Sequence, residues 1–282
     1  MNILLTGSGG FIGSNLKSFL QLDYNLLTPR SFDLDLTDRN AVQDFFCKND
    51  IDFIIHCATV GGVRGQADSN TTVEDNLSMV NNLLEFKRYD TRIILFGSGA
   101  MYGKDRNLHK VNESNIGKYM PKDLYGQSKM QIANLIKNRD DVLCLNIFAC
   151  YGYGENESRF PSYAILQHLK KLPIIINQNV VFDYLWVEDM QRIVQYFIKN
   201  KPSDSIINIT PENSVTLLEI AEIVNGFSGF KSEIVIKNPV MNFEYTGDNT
   251  VLLKNFPDFC FTNMKTGLLK LYNYIEKTQI IW

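Results

Sequence analysis

The sequence predicts an α/β fold in which a doubly wound parallel sheet carries a smaller mixed α/β cap. Three observations predict it. Short apolar, β-branched runs alternate with helix-spaced patterns from the first residue, as in βαβ units. The run Asp52-Phe53-Ile54-Ile55-His56-Cys57 is apolar at successive positions, which suits a parallel strand covered on both faces. A glycine turn lies between the first strand pattern and the first helix pattern.

The elements follow in order. Ile3 to Thr6 reads as a strand, and Phe11, Ile12, Leu16, Phe19 and Leu20 mark one side of a helix. Asn25 to Thr28 reads as a second strand and Asp33 to Leu36 as a short third one. Ala41, Val42, Phe45 and Phe46 have helical spacing, and Asp52 to Cys57 is the next strand. A helix over Val73 to Arg88 precedes a strand at Arg92 to Phe96; a helix over Leu124 to Lys137 precedes a strand at Asp141 to Phe148. Beyond about Gly152 the pattern loosens. Short strands at Pro173 to Ile176, Ile206 to Ile209 and Glu233 to Ile236 alternate with helices at Val187 to Lys199, Leu217 to Phe227 and Lys265 to Lys277. The expected division is 1–152 for a cofactor-binding domain and 153–282 for a substrate-binding domain, with some interleaving of the chain.

Charge and composition remove several classes. With 28 basic and 31 acidic residues among 282, the net charge is −3, which argues against a nucleic-acid binder. No apolar run approaches the roughly 18 residues of a membrane span, and the first residues are too short for a signal peptide, so a cytoplasmic protein is expected. Five cysteines without a CxxC pair read as small apolar residues in a reducing compartment, not as a disulfide frame. His56, His109 and His168 are scattered, and no metal site is expected.

The glycine turn is Gly7-Ser8-Gly9-Gly10-Phe11-Ile12-Gly13, with glycines at 7, 10 and 13. Missing β-carbons let a backbone approach a pyrophosphate at a helix N-terminus, so the strand-turn-helix context predicts a Rossmann-like dinucleotide site. A NAD site usually has an acid after the second strand to bind the ribose 2′-hydroxyl. Here the stretch is Leu27-Thr28-Pro29-Arg30-Ser31, so Arg30 can meet a 2′-phosphate and NADP(H) is expected, with NAD(H) as the other possibility. Arg30 can equally be a solvated loop charge. Asp35 and Leu36 can bind and cover an adenine, although Asp35 can instead cap the next helix.

Tyr125-Gly126-Gln127-Ser128-Lys129 sets a phenol and an ammonium one helical turn apart. A phenol has a reference pKa of about 10, and a nearby cation favours its ionised form. Ser98 follows the strand Arg92 to Phe96, at the sheet edge where open α/β folds bind ligands. Ser98, Tyr125 and Lys129 are therefore the catalytic candidates, Ser98 to orient a carbonyl and Tyr125 to exchange a proton.

Together these motifs resemble the extended short-chain dehydrogenase/reductases of the nucleotide-sugar epimerase/dehydratase family, along nearly the whole chain. His56-Cys57-Ala58, Ser98-Gly99-Ala100-Met101-Tyr102-Gly103, Phe148-Ala149-Cys150-Tyr151-Gly152 and Asp183-Tyr184-Leu185-Trp186-Val187-Glu188-Asp189 are further matching pieces. Within the family the pattern is most similar to the GDP-fucose synthases, through Asp33 to Asp38, Val60-Gly61-Gly62 and Phe256 to Thr262. The resemblance implies hydride transfer between a nicotinamide and a sugar carbon. It implies that Gly7, Gly10, Phe11, Ile12 and Gly13 hold the pyrophosphate, and that Cys57, Ala58, Tyr125, Lys129 and Phe148 also line the cofactor. Related enzymes often dimerise by pairing the helix before Arg88 with the one carrying Tyr125, and Leu77, Val80, Leu83 and Leu84 suit either that or core packing. Many of them act in polysaccharide biosynthesis.

The departures narrow the expectation. Gly99-Ala100 stand where dehydratases of this family carry Asp-Glu, and Ala100 stands where the synthases carry a cysteine. The segment Ser158 to Pro161 lacks the synthases' histidine, Phe182 replaces an arginine that grips the diphosphate, and Ala149 replaces a substrate-contacting Asn. Arg64 and Arg159 are the candidates to bind substrate beside Ser98, though each can be an ordinary surface arginine. The expected activity is NADPH-dependent reduction of the C4 keto group of a nucleotide-linked 4-keto-6-deoxy sugar, without C3/C5 epimerisation. The alternatives are an NAD-dependent nucleotide-sugar 4-epimerase and a dinucleotide-sensing regulator.

Overall fold

The computed structural model describes residues 1–63 and 65–279. Six strands form the central sheet: β1 (Asn2–Thr6), β2 (Asn25–Leu27), β3 (Phe53–His56), β4 (Arg92–Ser98), and two from later in the chain. Between β4 and those two comes β5 (Leu108–Val111), outside the sheet. The later pair are β6 (Val142–Ile147) and a strand at Ile206–Asn208, and the spatial order is Ile206–Asn208, β6, β4, β3, β1, β2. Every neighbouring pair is parallel. Strand 206–208 comes from beyond residue 152, so the second half of the chain completes the sheet.

Apolar residues on both faces explain why these runs become central strands. Leu5, Ile55, Ile94 and Leu145 enter one core, and Leu4, Ile54, Ile93, Leu95 and Cys144 enter the other. The helices α1 (Phe11–Leu20), α2 (Arg39–Lys48), α3 (Thr72–Phe86) and α4 (Leu124–Ile136) cover the sheet. Leu16 and Leu20 of α1 join the first core; Val42 of α2, Val80 and Leu83 of α3, and Ile132 and Ile136 of α4 fill the second. Val80 and Leu83 are thus buried within this chain, while Leu77 and Leu84 are partly buried beside them.

Asp33 to Leu36 forms no strand. Its acidic side chains bind local backbone instead: Asp33 accepts from Arg30 N at 3.1 Å, and Asp35 accepts from Thr37 N at 2.8 Å. Such side-chain bonds compete with a ladder and produce turns. Asp38, not Asp35, caps α2, accepting from Asn40 N and Ala41 N. All five cysteines are free: Cys144 and Cys150 are buried, Cys57 is half-buried, and Cys47 and Cys260 are exposed.

The rest of the chain forms short strands and helices, and apart from the central-sheet edge strand most of them build the cap. The strands β7 (Ala149–Tyr151), β8 (Ile174–Gln178), β9 (Val181–Phe182), β10 (Tyr184–Trp186), β11 (Ile206–Asn208, the sheet edge), β12 (Val215–Thr216), β13 (Ile234–Asn238) and β14 (Tyr245–Gly247) interleave with α5 (Phe160–Leu169), α6 (Val187–Lys199), α7 (Leu217–Asn225), α8 (Thr250–Asn255) and α9 (Met264–Gln279). A four-stranded sheet runs β12, β9, β14, β5, so the segment after β4 is sewn to the cap. Among the described residues no helix is long and apolar enough to cross a membrane, and no His/Cys/Asp/Glu cluster can hold a metal.

Candidate active site

The chain order of the strands reverses around β1, which has β2 on one side and β3 on the other. The crevice at the C-terminal ends of β1 and β3 is where such sheets take ligands. Gly7 lies at its floor with φ +64°, and a Cβ there would come within 2.5 Å of Ala58 N. A Cβ on Gly13 would collide with Gly7 O. Gly10 N donates to Gly7 O at 3.0 Å, closing the turn, and Gly10 is the N-cap of α1. Phe11 and Ile12 open the helix, so free backbone N–H groups point from its N-terminus into the crevice.

Arg30 lies over this turn. A Cβ on Gly9 would sit 3.3 Å from the Arg30 Cζ, and the side chain is exposed. Its guanidinium therefore borders the same crevice as the glycine turn. A side-chain-free backbone, a helix N-terminus and an adjacent cation fit a nicotinamide dinucleotide. Asp35 is spent on Thr37, which holds its carboxyl below the usual range, and Leu36 is buried with its carbonyl accepting from Asn82 Nδ2. Cys57 and Ala58 follow β3; burial pushes the Cys57 thiol well above its ordinary value, so it is no nucleophile.

Beneath the crevice, Thr6 Oγ1 and His56 Nδ1 share a hydrogen bond of 2.8 Å. Burial, then the nearby Lys129 ammonium, hold His56 down to about 3, so its ring is neutral.

Ser98 ends β4. The backbone turns there into a 3-10 helix at Gly99–Tyr102, with Ser98 Oγ accepting from Ala100 N at 3.2 Å. The helix α4 packs against that turn, and a Cβ on Gly126 would lie 2.7 Å from Ala100 O. Close approach at Gly126 thus draws the Tyr125 turn up to the Ser98 turn. Lys129 is buried; its Nζ donates to Phe96 O at 2.9 Å and lies 5.4 Å from the centre of the Tyr125 ring. One helical turn therefore brings the ammonium beside the phenol, as the spacing predicts.

Two features have no local motif. Asp68 bridges the Gly61-Gly62 loop and α4, accepting from Gly62 N at 2.8 Å and from Tyr125 N at 2.9 Å. It satisfies an otherwise free helix N-terminal donor, as Asp123 does for Gly126 N. Gly62 lies against the Tyr125 ring: a Cβ there would be 2.9 Å from Tyr125 Cε2. The other feature is Tyr245 of β14, whose ring packs at 5.2 Å from Phe148 and 5.5 Å from Phe182.

Phe148 is buried between Tyr102 and Tyr245. Phe182 carries no charge into the site; its ring meets Tyr184 and Tyr245. Arg159 is the N-cap of α5, and its charge acts on Tyr245 and on Glu155. Glu155 is buried, accepts from Ser162 N and Oγ, and is pushed up to about 7 by burial. Arg64 lies outside the described residues.

The model of the NAD dependent epimerase/dehydratase family matches residues 3–210. The chain belongs to this family. With it come a nicotinamide cofactor and oxidoreductase chemistry. GDP-L-colitose synthase of Yersinia pseudotuberculosis is 25% identical over 303 residues, covering 97% of each chain. A GDP-L-fucose synthetase structure from Naegleria fowleri matches with a TM-score of 0.82 at 17% identity, covering 99% of this chain and 93% of that one. The GDP-mannoheptose C4 reductase of Campylobacter jejuni, solved with NADP bound, matches with a TM-score of 0.82 at 19% identity, covering 98% of each. The two structural matches establish a shared fold.

Proposed function

We propose that this chain is an NADPH-dependent reductase of the C4 keto group of a nucleotide-linked 4-keto-6-deoxy sugar. What supports the reading is that Lys129 lies beside the Tyr125 ring and bonds Phe96 O of β4, that Gly126 packs on the turn after Ser98, and that Arg30 borders the glycine turn. When bound, the nicotinamide dinucleotide would supply a hydride from its nicotinamide ring to the sugar carbonyl carbon. Ser98 donates a hydrogen bond to the carbonyl oxygen as charge grows there. Tyr125 delivers its proton to that oxygen, and the Lys129 ammonium stabilises the phenolate left behind. Gly7, Gly10, Phe11, Ile12 and Gly13 hold the pyrophosphate, and Arg30 pairs with the 2′-phosphate, which favours NADPH over NADH.

The reading stops at reduction. Gly99 and Ala100 offer neither an acid for eliminating water nor a thiol for removing a ring proton. Position 99 also has no room for one: a Cβ there would lie 2.6 Å from Phe148 Cδ1. The names of relatives agree in kind, since a colitose synthase and a C4 reductase both handle GDP-linked sugars by name. Arg159 and Arg64 are proposed to replace the charge lost at Phe182 in gripping the diphosphate. Residues 1–152 bind the cofactor and 153–282 the sugar nucleotide, in a cytoplasmic homodimer.

The test is absorbance at 340 nm with a panel of 4-keto-6-deoxy nucleotide sugars and added NADPH. Stoichiometric loss of NADPH with retained C3 and C5 configuration supports the reading. No turnover with any member overturns it, and interconversion of C4 epimers with no added cofactor favours a 4-epimerase.

A further inference from the structure

The turn that carries Ser98 is tied to a buried polar row in the central sheet. Gly97 of β4 pairs with Asn146 of β6, and Asn146 pairs with Asn208 of β11, so the three stand in register across the sheet. Asn146 and Asn208 are fully buried. Glycine at 97 makes room for the row: a Cβ there would collide with Asn146 Oδ1. Tyr102 is the last residue of the 3-10 helix that Ser98 caps, and it folds back onto the same row. Its buried hydroxyl donates to Asn208 Oδ1 at 2.8 Å.

The two amides are held without help from Tyr102. Asn208 Oδ1 also accepts from Asn146 Nδ2 at 3.0 Å, and Asn208 Nδ2 donates to Val111 O at 3.0 Å. The Asn208 backbone N–H donates to Glu113 Oε1 at 2.7 Å, and Asn146 Oδ1 accepts from the Cys144 thiol at 3.3 Å. Burying two amides among apolar strands carries a desolvation cost that an apolar row would avoid, and these bonds offset it. The result is a fixed acceptor, Asn208 Oδ1, at the end of the Ser98 turn.

Both ends of that turn meet the row. Gly97 lies against Asn146 where the chain enters it, and Tyr102 bonds Asn208 where the chain leaves it. We propose that Tyr102 is a positioning residue: its hydrogen bond to Asn208 holds the Gly99–Tyr102 turn, and with it the Ser98 hydroxyl, where a substrate carbonyl is to be polarised. Packing at Gly99 and Gly126 sets how closely the neighbours can approach the turn, and the Tyr102 hydroxyl keeps the turn there. Such placement matters, because a misplacement of about 1 Å can cost on the order of 10²-fold in rate. Asn208 comes from the second half of the chain, so the same bond links the serine to the half that forms the cap. This inference rests on the reductase reading for its kinetic consequence, and on the Tyr102, Asn146 and Asn208 hydrogen bonds for its geometry.

The test is a double-mutant cycle. Tyr102→Phe removes only the hydroxyl, and it orphans no buried amide because Asn208 Oδ1 keeps the Asn146 donor. It is expected to lower kcat about tenfold, the scale of one hydrogen bond, with KM for NADPH and for the sugar within about twofold. In a Ser98→Ala background the same change is expected to cost nothing further, because no serine hydroxyl remains to be held. A residue that serves only the core would subtract equally in both backgrounds. Wild-type kcat in Tyr102→Phe, or additive losses, overturns the proposal. Crystals of the wild type and of Tyr102→Phe provide a readout independent of turnover. If no sugar in the panel is reduced, the reductase reading fails and the positioning claim is decided by these crystals. A displaced or multiply ordered Ser98 turn over unmoved Asn146 and Asn208 then supports it, and an unmoved turn overturns it.

Discussion

Replacing Arg30 with alanine isolates the choice of cofactor. The guanidinium lies over Gly9, has no ion pair among the described residues, and is exposed. Against it, a 2′-phosphate would gain charge-assisted hydrogen bonds worth about 1.5–3 kcal/mol when well made. Exposure and salt weaken such contacts, so the lower end, about 1.5–2 kcal/mol, is appropriate. That corresponds to roughly a 10–30-fold weaker grip on NADPH. NADH has no 2′-phosphate and should bind with unchanged affinity. Fluorescence titration of both cofactors against wild type and Arg30→Ala, at low and high ionic strength, measures all four values. The wild-type preference for NADPH should shrink as salt rises, while the variant should respond little. Equal weakening of both cofactors, or no change in either, would refute the assignment of Arg30 to the phosphate.

Three other outcomes follow from the geometry. Glu155 is raised from 4.5 to about 7 in the folded chain, so its protonation supports folding fully below the unfolded value, and that support is lost as pH rises towards 7. The shift corresponds to about 3 kcal/mol; Glu155→Gln keeps an acceptor for Ser162 and should remove this part of the decline in urea stability between pH 5 and 8, whereas an unchanged slope refutes it. Asp68→Ala frees Gly62 N and Tyr125 N, and should lower kcat about tenfold with little change in Tm; intact kcat would deny Asp68 a positioning role. Gly126→Ala must separate α4 from the Ser98 turn, and should cost about 1–3 kcal/mol in stability together with turnover, checked by thermal melting and a kinetic assay.

Much of this was legible in the sequence, and the exceptions have physical causes. The central strands stand out because both faces are buried, so their apolar runs are unbroken. Ser98, Tyr125 and Lys129 stand out because strand ends and helical turns fix their spacing. The helix Phe160–Leu169 was not legible: it buries Phe160, Ser162, Ala164, Ile165, Leu166 and His168, so it lacks the polar face that creates a helical period. Strands such as β9 and β12 have two residues each, too few to alternate. Asp33 to Leu36 alternates like a strand, but its acids capture backbone donors first. Asp68 and Tyr245 reach the site only through tertiary packing, by way of a loop and a cap strand, and no local spacing announces either.

The account depends on Tyr125 as the proton donor, and Tyr125→Phe measured for binding and turnover together tests that most directly. The variant should bind NADPH within about threefold of wild type, because the ring and Lys129 remain, while kcat falls by about 10²–10⁴, the range of a lost general acid. Turnover close to wild type in a variant that still binds NADPH would contradict it.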